Sequence, residues 1–239
     1  MMIFLSLVYK NKNTTAQKSA AQEVSPTSIT QNSIQIGDFT FSWFQTNTDS
    51  LKLIPNFDEK NFSKEVIQNN KCRFLSNAGF YSKESKPIGL FVTDKQTLSN
   101  WQENLLLDGI LSINDIATPR ITREAPKDTL RIALQTGPIV KENAGYVNLK
   151  IQNDSEARRV IAGVTGENKL FFLVIYKTNS EYLGPLLGDL PVALKKFEEK
   201  SGIIFADIIN LDGGAASTFY SPDKNLSEIN STGAFFCQL

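Results

Sequence analysis

Ile208-Ile209-Asn210-Leu211-Asp212-Gly213-Gly214-Ala215-Ala216-Ser217 decides how this chain is read. An apolar run delivers one carboxylate, then two glycines, then small residues. Such a run forms a buried strand, and the glycines let another group approach the backbone closely. Asp-Gly between two apolar stretches is first of all hairpin chemistry. The other reading is a strand end that presents Asp212 to a ligand. Asn210 and Ser217 would then add hydrogen bonds, and the Gly213 and Gly214 backbone would lie open to an anion.

The 239 residues include no histidine. Ser-His-Asp and Cys-His nucleophile pairs are thereby excluded, as are His-ligated metals. No metal or cofactor is expected, so catalysis falls to carboxylates, arginine, amides, hydroxyls and backbone dipoles. Lys+Arg and Asp+Glu are equal at 25 each. No global field then favours nucleic acid or an anionic membrane. The apolar share of 41% suits one large domain or two small ones. Cys72 and Cys237 are the only cysteines. They pair if the protein is exported; the simpler reading is two buried thiols.

Met1 to Tyr9 is apolar but falls well short of the roughly 20 residues that span a bilayer. Lys10 and Lys12 follow it, whereas a signal peptide carries its charge ahead of the apolar core. It reads as the remnant of a membrane anchor, with a frayed terminus as the alternative. Asn11 to Asn32 is polar and aperiodic, a flexible linker or stalk. Residues 1–33 are therefore set apart from a folded domain over 34–239, expected outside the cytoplasm.

Phe39 to Phe44 alternates aromatic with small residues, as a half-buried strand does, and Leu51 to Ile54 reads as its neighbour. Asn61 or Ser63 caps a short helix through Gln68. Arg73 to Ser76, Pro87 to Val92, Leu130 to Gln135, Phe205 to Leu211, Phe219-Tyr220 and Gly233 to Cys237 read as further strands. Leu98 to Asp108 reads as irregular. Arg158 to Thr165 and Leu170 to Tyr176 form a hairpin through Gly166-Glu167-Asn168-Lys169. Asp189-Leu190-Pro191 opens a helix that Gly202 stops. The pattern predicts an α+β domain: a mixed, largely antiparallel β-sheet core with a few packed helices.

Three other strand ends carry candidate chemistry. Arg158-Arg159 opens a strand, and neighbouring residues point to opposite faces. One arginine is expected inside, where its fork grips a phosphate, and the other in solvent. Asn77-Ala78-Gly79 and Gln135-Thr136-Gly137-Pro138 each place an amide beside a sharp break. Ordinary turns and a surface cation account for them equally well.

The ordered set Asn77-Ala78-Gly79-Phe80, Pro87-Ile88-Gly89-Leu90, Ala133 to Pro138, Arg159 to Val164 and Asn210-Leu211-Asp212-Gly213-Gly214 resembles the phosphodiester glycosidase family over roughly Asn32 to Leu239. The resemblance implies that Asn77, Gly79, Gly137, Arg159, Asp212 and Gly213 line a site. It implies hydrolysis of a sugar-1-phosphodiester, of the N-acetylglucosamine type, to free sugar and phosphomonoester. The substrate would be a phosphate-linked sugar or polysaccharide of envelope or exopolysaccharide metabolism. Two departures stand out. Ala216 occupies the family's serine position, with Ser217 following as a substitute. Asn143-Ala144 lacks the glycine that usually follows the asparagine. A non-catalytic carbohydrate-binding protein of polysaccharide assembly is the rival expectation.

Overall fold

Leu170 to Tyr176 is apolar at every position, which a strand buried on both faces requires. Leu170, Phe172, Val174 and Tyr176 enter one core, while Phe171, Leu173 and Ile175 enter another. In the computed structural model, which describes residues 32–239, this segment lies inside a seven-stranded sheet. The anchor remnant and nearly all of the polar stalk fall outside the described residues.

The first strands are β1 (Ser33–Ile36), β2 (Phe39–Thr46) and β3 (Leu51–Pro55), followed by helix α1 (Ser63–Asn70) and β4 (Phe74–Asn77). Next come β5 (Phe91–Thr93), β6 (Gln96–Ser99), β7 (Gly109–Asn114), β8 (Pro119–Thr122) and β9 (Leu130–Thr136). The chain continues through β10 (Ile139–Glu142), β11 (Gly145–Tyr146), β12 (Arg159–Thr165) and β13 (Leu170–Lys177). Helix α2 (Leu190–Ser201), β14 (Phe205–Asn210), β15 (Phe219–Ser221), β16 (Lys224–Leu226) and β17 (Ala234–Gln238) complete it.

The large sheet has the order β1-β2-β13-β12-β14-β10-β11. Two five-stranded sheets, β16-β15-β4-β17-β3 and β6-β5-β9-β7-β8, accompany it. Helix α2 covers one face of the large sheet, packing Leu190, Leu194 and Phe197 on Phe41, Leu173 and Ile208. Its Glu198 receives Lys141 Nζ of β10 at 2.8 and 2.9 Å, a buried pair that fixes the helix on the sheet. The opposite face shares a core with the smaller sheets, where Phe74, Phe172, Phe219 and Phe236 meet at centroid distances of 5.0–5.5 Å. Each buried phenylalanine contributes roughly 1.5–3 kcal/mol.

The fold corrects several expectations. Every strand pairing among the described residues is antiparallel, and two short helices accompany the strands. The protein is predominantly β, neither balanced α+β nor a mixed sheet. Most connections are short, and short links favour antiparallel neighbours. β3 pairs with β17 and not with β2. The segment from Pro87 stays irregular until Phe91. Asp189 occupies the α2 cap position without a side-chain capping bond.

Cys72 and Cys237 form a disulfide with Cα atoms 5.5 Å apart, closing 165 residues of sequence separation. The expectation of two free thiols is thereby corrected. Pairing of β4 with β17 brings the two positions together. No described helix is long and apolar enough to cross a membrane.

Candidate active site

Strand β14 delivers Asp212 as the sequence pattern requires, but the Asp-Gly-Gly turn is not a hairpin. The chain leaves the seven-stranded sheet here and enters β15 of a five-stranded one. Leu211 N–H donates to Val160 C=O at 2.9 Å, and Gly214 N–H to Arg158 C=O at 2.9 Å, extending the β12 pairing past the strand end. Gly214 has φ +63°, a conformation that favours glycine. Asp212 N–H donates to Ala78 C=O at 3.2 Å. Asn77 Nδ2 donates to the Asp212 carbonyl at 2.7 Å.

The Asp212 side chain is partly open to solvent, yet its carboxyl receives only its neighbour Gly213 N–H, at 2.8 Å. Desolvation pushes it up to about 7, against the pull of that single hydrogen bond. No cation opposes the rise. Tyr81 stands nearby: burial first, and then the Asp212 charge, lift its phenol above the usual value. Its hydroxyl donates to Ser231 C=O at 2.6 Å.

Arg159 lies on the adjacent strand against Gly213. A Cβ at Gly213 would stand 3.7 Å from Arg159 Nη1 and Cδ. The guanidinium is held from the other side. Nε donates to Pro185 C=O at 3.1 Å, and Nη2 to Ser155 C=O at 2.6 Å and to Asp154 at 3.3 Å. Among the described residues Nη1 makes no such bond. Burial lowers the Arg159 proton affinity, and the Asp154 charge works against that. Burial also acts on Asp154 by raising it, but the Gly188 and Leu187 N–H groups and Arg159 hold it below the usual carboxylate range. Arg159 thus has its own counterion, which leaves Asp212 without one.

The expectation of one buried and one solvated arginine is corrected. Arg158 is 1% exposed. Its Nε donates to Ser217 Oγ at 2.8 Å, and its Nη groups reach the carbonyls of Glu181, Ser217 and Ser227. A buried arginine so completely bonded is a strut, tying loops after β13, β14 and β16 together.

Several other residues expected to meet a ligand are turned to the protein. Asn77 Oδ1 accepts from Thr218 N–H, so its whole amide positions backbone. Gln135 makes four bonds, accepting from Leu90 and Gln102 N–H and donating to Gln102 and Leu107 C=O. Ser217 accepts from Arg158 and donates to Gly214 C=O. Gly79 abuts Leu134, and Gly137 lies so near Leu106 C=O that a Cβ would come within 2.3 Å. Asn210 Nδ2 donates to Gly137 C=O at 2.9 Å, while its buried Oδ1 finds no protein partner. Sequence reasoning passed over Asp154, placed in linker-like surroundings, and Tyr81.

Two cavities lie away from Asp212 and Arg159. One of about 580 Å³ is lined by Ile121, Arg123, Thr165 and Asp207, at the opposite ends of β12 and β14 from Asp212. Another of about 340 Å³ lies between α2 and the Gly37 turn. Among the described residues no three Cys, Asp or Glu side chains gather as a metal-binding group.

The phosphodiester glycosidase family profile matches residues 70–235, spanning Asn77, Arg159 and Asp212. The chain belongs to the phosphodiester glycosidase family. Among solved structures it is similar to the catalytic domain of zebrafish N-acetylglucosamine-1-phosphodiester alpha-N-acetylglucosaminidase, auto-inhibited by its pro-peptide. That match has TM-score 0.66 and 13% identity, over 84% of this chain and 76% of that one. A hypothetical protein from Synechocystis follows, with TM-score 0.63 and 12% identity, over 87% of this chain and 61% of that one. A Burkholderia pseudomallei protein assigned to export has TM-score 0.53 and 9% identity, over 84% of this chain and 74% of that one. At these identities the likeness is one of fold. No curated protein matches the sequence.

Proposed function

We propose that this phosphodiester glycosidase family member hydrolyses a sugar-1-phosphodiester, of the N-acetylglucosamine-1-phosphodiester type, to free sugar and phosphomonoester. The observation that carries the reading is Asp212: a lone carboxyl without a counterion, raised to about 7 by burial, beside a fixed arginine. A group with that value exchanges protons readily near neutrality, as a general acid or base must.

The phosphate is already a good leaving group, so the strongest demand is charge stabilisation rather than a second acid. Arg159 presents Nη1 to the phosphate while Asp154 and two carbonyls hold the rest of the fork. Ionised Asp212 takes a proton from water as it attacks the anomeric carbon. The C1–O bond breaks, and its electrons stay with the phosphate oxygen. Asn77 keeps Asp212 in place through its backbone carbonyl.

The disulfide supports an oxidising, extracytoplasmic compartment, and with it a role in envelope or exopolysaccharide metabolism. One observation favours the non-catalytic carbohydrate-binding reading: Ser217, which follows the family's serine position, is fully engaged by Arg158 and Gly214. Incubation with a chromogenic N-acetylglucosamine-1-phosphodiester separates the two. Release of the phosphomonoester supports the hydrolase; saturable binding without release replaces it with the binding protein.

A further inference from the structure

Strand order fixes what lies side by side where β14 ends. The segments after β13, before β12, after β14 and before β10 are neighbours in that sequence. At about 4.8 Å per strand they cover roughly 15 Å, with Asp212 between the flanks. On one flank Arg158 N–H donates to Tyr182 C=O at 3.0 Å, and the Arg158 guanidinium stands 5.6 Å from the Tyr182 ring. Tyr182 and Leu183 are nevertheless exposed. On the other flank Leu106 C=O presses on Gly137, and Gln135 clamps Gln102 through both backbone groups. Asn104 Oδ1 accepts from Leu106 and Leu107 N–H. This firmly held loop presents Trp101, Leu105 and Leu106 to solvent, and Leu105 is 98% exposed. A third loop adds exposed Ile229, whose N–H donates to Ala215 C=O at 2.8 Å.

Backbones pinned by side-chain amides and an arginine thus display bare apolar side chains on the loops that adjoin the end of β14. Contiguous exposed apolar groups mark a binding surface. Phosphate and sugar hydroxyls leave the aliphatic Leu105, Leu106 and Ile229 without a partner, whereas an alkyl chain covers them. We propose that the substrate of this site is an amphiphile: a sugar-1-phosphodiester whose second ester is a long-chain apolar alcohol. This rests on the hydrolytic reading of Asp212. The loops that carry these side chains adjoin the end of β14, so a chain leaving a phosphate held there meets them. Water adds to C1, the C1–O bond breaks toward the phosphate, and the products are free sugar and an alkyl phosphate.

The test is a series of methyl, butyl and octyl N-acetylglucosamine-1-phosphodiesters below their micelle concentrations, with wild type and a Leu105→Ser/Ile229→Ser variant. The octyl ester is expected to exceed the methyl ester in kcat/KM by about tenfold or more, since each buried methylene adds to binding. The variant flattens that gradient and leaves the methyl ester unchanged. A flat series in wild type, or equal slowing of methyl and octyl esters in the variant, overturns the proposal. If no ester is hydrolysed, calorimetric binding of the same compounds decides. Octyl affinity that exceeds methyl and collapses in the variant supports the amphiphile site and removes hydrolysis. Equal affinities, or none, overturn both.

Discussion

Asn77 and Asp212, 135 residues apart in the chain, are joined by one hydrogen bond, Asn77 Nδ2 to the Asp212 carbonyl at 2.7 Å. Asn77 ends β4 of a five-stranded sheet, and Asp212 follows β14 of the seven-stranded one. The bond therefore locks two sheets together at the backbone of the residue that carries the carboxyl.

Asn77→Ala leaves the Thr218 N–H and the Asp212 carbonyl unpartnered in a buried place. Each costs about 1–3 kcal/mol. Thermal unfolding is expected several degrees below wild type. Any activity falls through misplacement of Asp212, seen as a loss in kcat larger than the rise in KM.

Asp212→Asn is expected to be stabilising at neutral and alkaline pH. Its folded value of about 7 lies above the ordinary 3.8, so the folded state keeps a proton that the unfolded state has lost. The stability this group contributes is full below about pH 4 and is lost as pH rises through 7. The amide avoids that loss. At pH 8 the variant should melt a few degrees above wild type, and the difference should vanish near pH 4. An equal gap at both pH values would remove burial as the cause of the shift.

Arg159→Lys replaces a fork held at three positions with a mobile point charge. The expected effect is a fall of about 10- to 100-fold in kcat/KM for a sugar-1-phosphodiester, of the order that one charge-assisted hydrogen bond supplies. Asp154→Asn should produce a smaller fall of the same kind, since its carboxylate orients the guanidinium. Unchanged constants in both variants would take Arg159 away from the phosphate.

Reduction of Cys72–Cys237 releases a loop of 165 residues in separation. Chain-entropy reasoning gives about 5 kcal/mol of lost stability for so long a loop. Denaturant midpoints with and without a thiol reductant measure it.

The strands were legible where an apolar run or a local turn signal marked them. The Gly166–Lys169 hairpin, the apolar run of β13 and the Gly202 stop of α2 all carry local signals. β7 and β8 form a local hairpin and β10 pairs with β11 across Asn143-Ala144, yet none was read, because β8, β10 and β11 hold only 4, 4 and 2 residues and show too little alternation. At the site the limit is long-range contact. Asp212 and Arg159 announced themselves by motif, but what Asn77, Gln135 and Ser217 bind is decided by sheets that meet only after folding. An amide at a strand end reads the same whether it faces a ligand or a carbonyl. Asp154 was hidden for a related reason: its polar surroundings resemble a linker until the Gly188 and Leu187 N–H groups close on it.

In the proposed hydrolysis of a sugar-1-phosphodiester, the Asp212 carboxyl, lifted by burial, moves the proton. The most direct measurement is the pH dependence of kcat/KM for an N-acetylglucosamine-1-phosphodiester in wild type and Asp212→Asn. The expected wild-type rate is governed by one ionisation near 7, with no turnover by the variant at any pH. A wild-type profile flat through neutrality, or wild-type rates from Asp212→Asn, would contradict it.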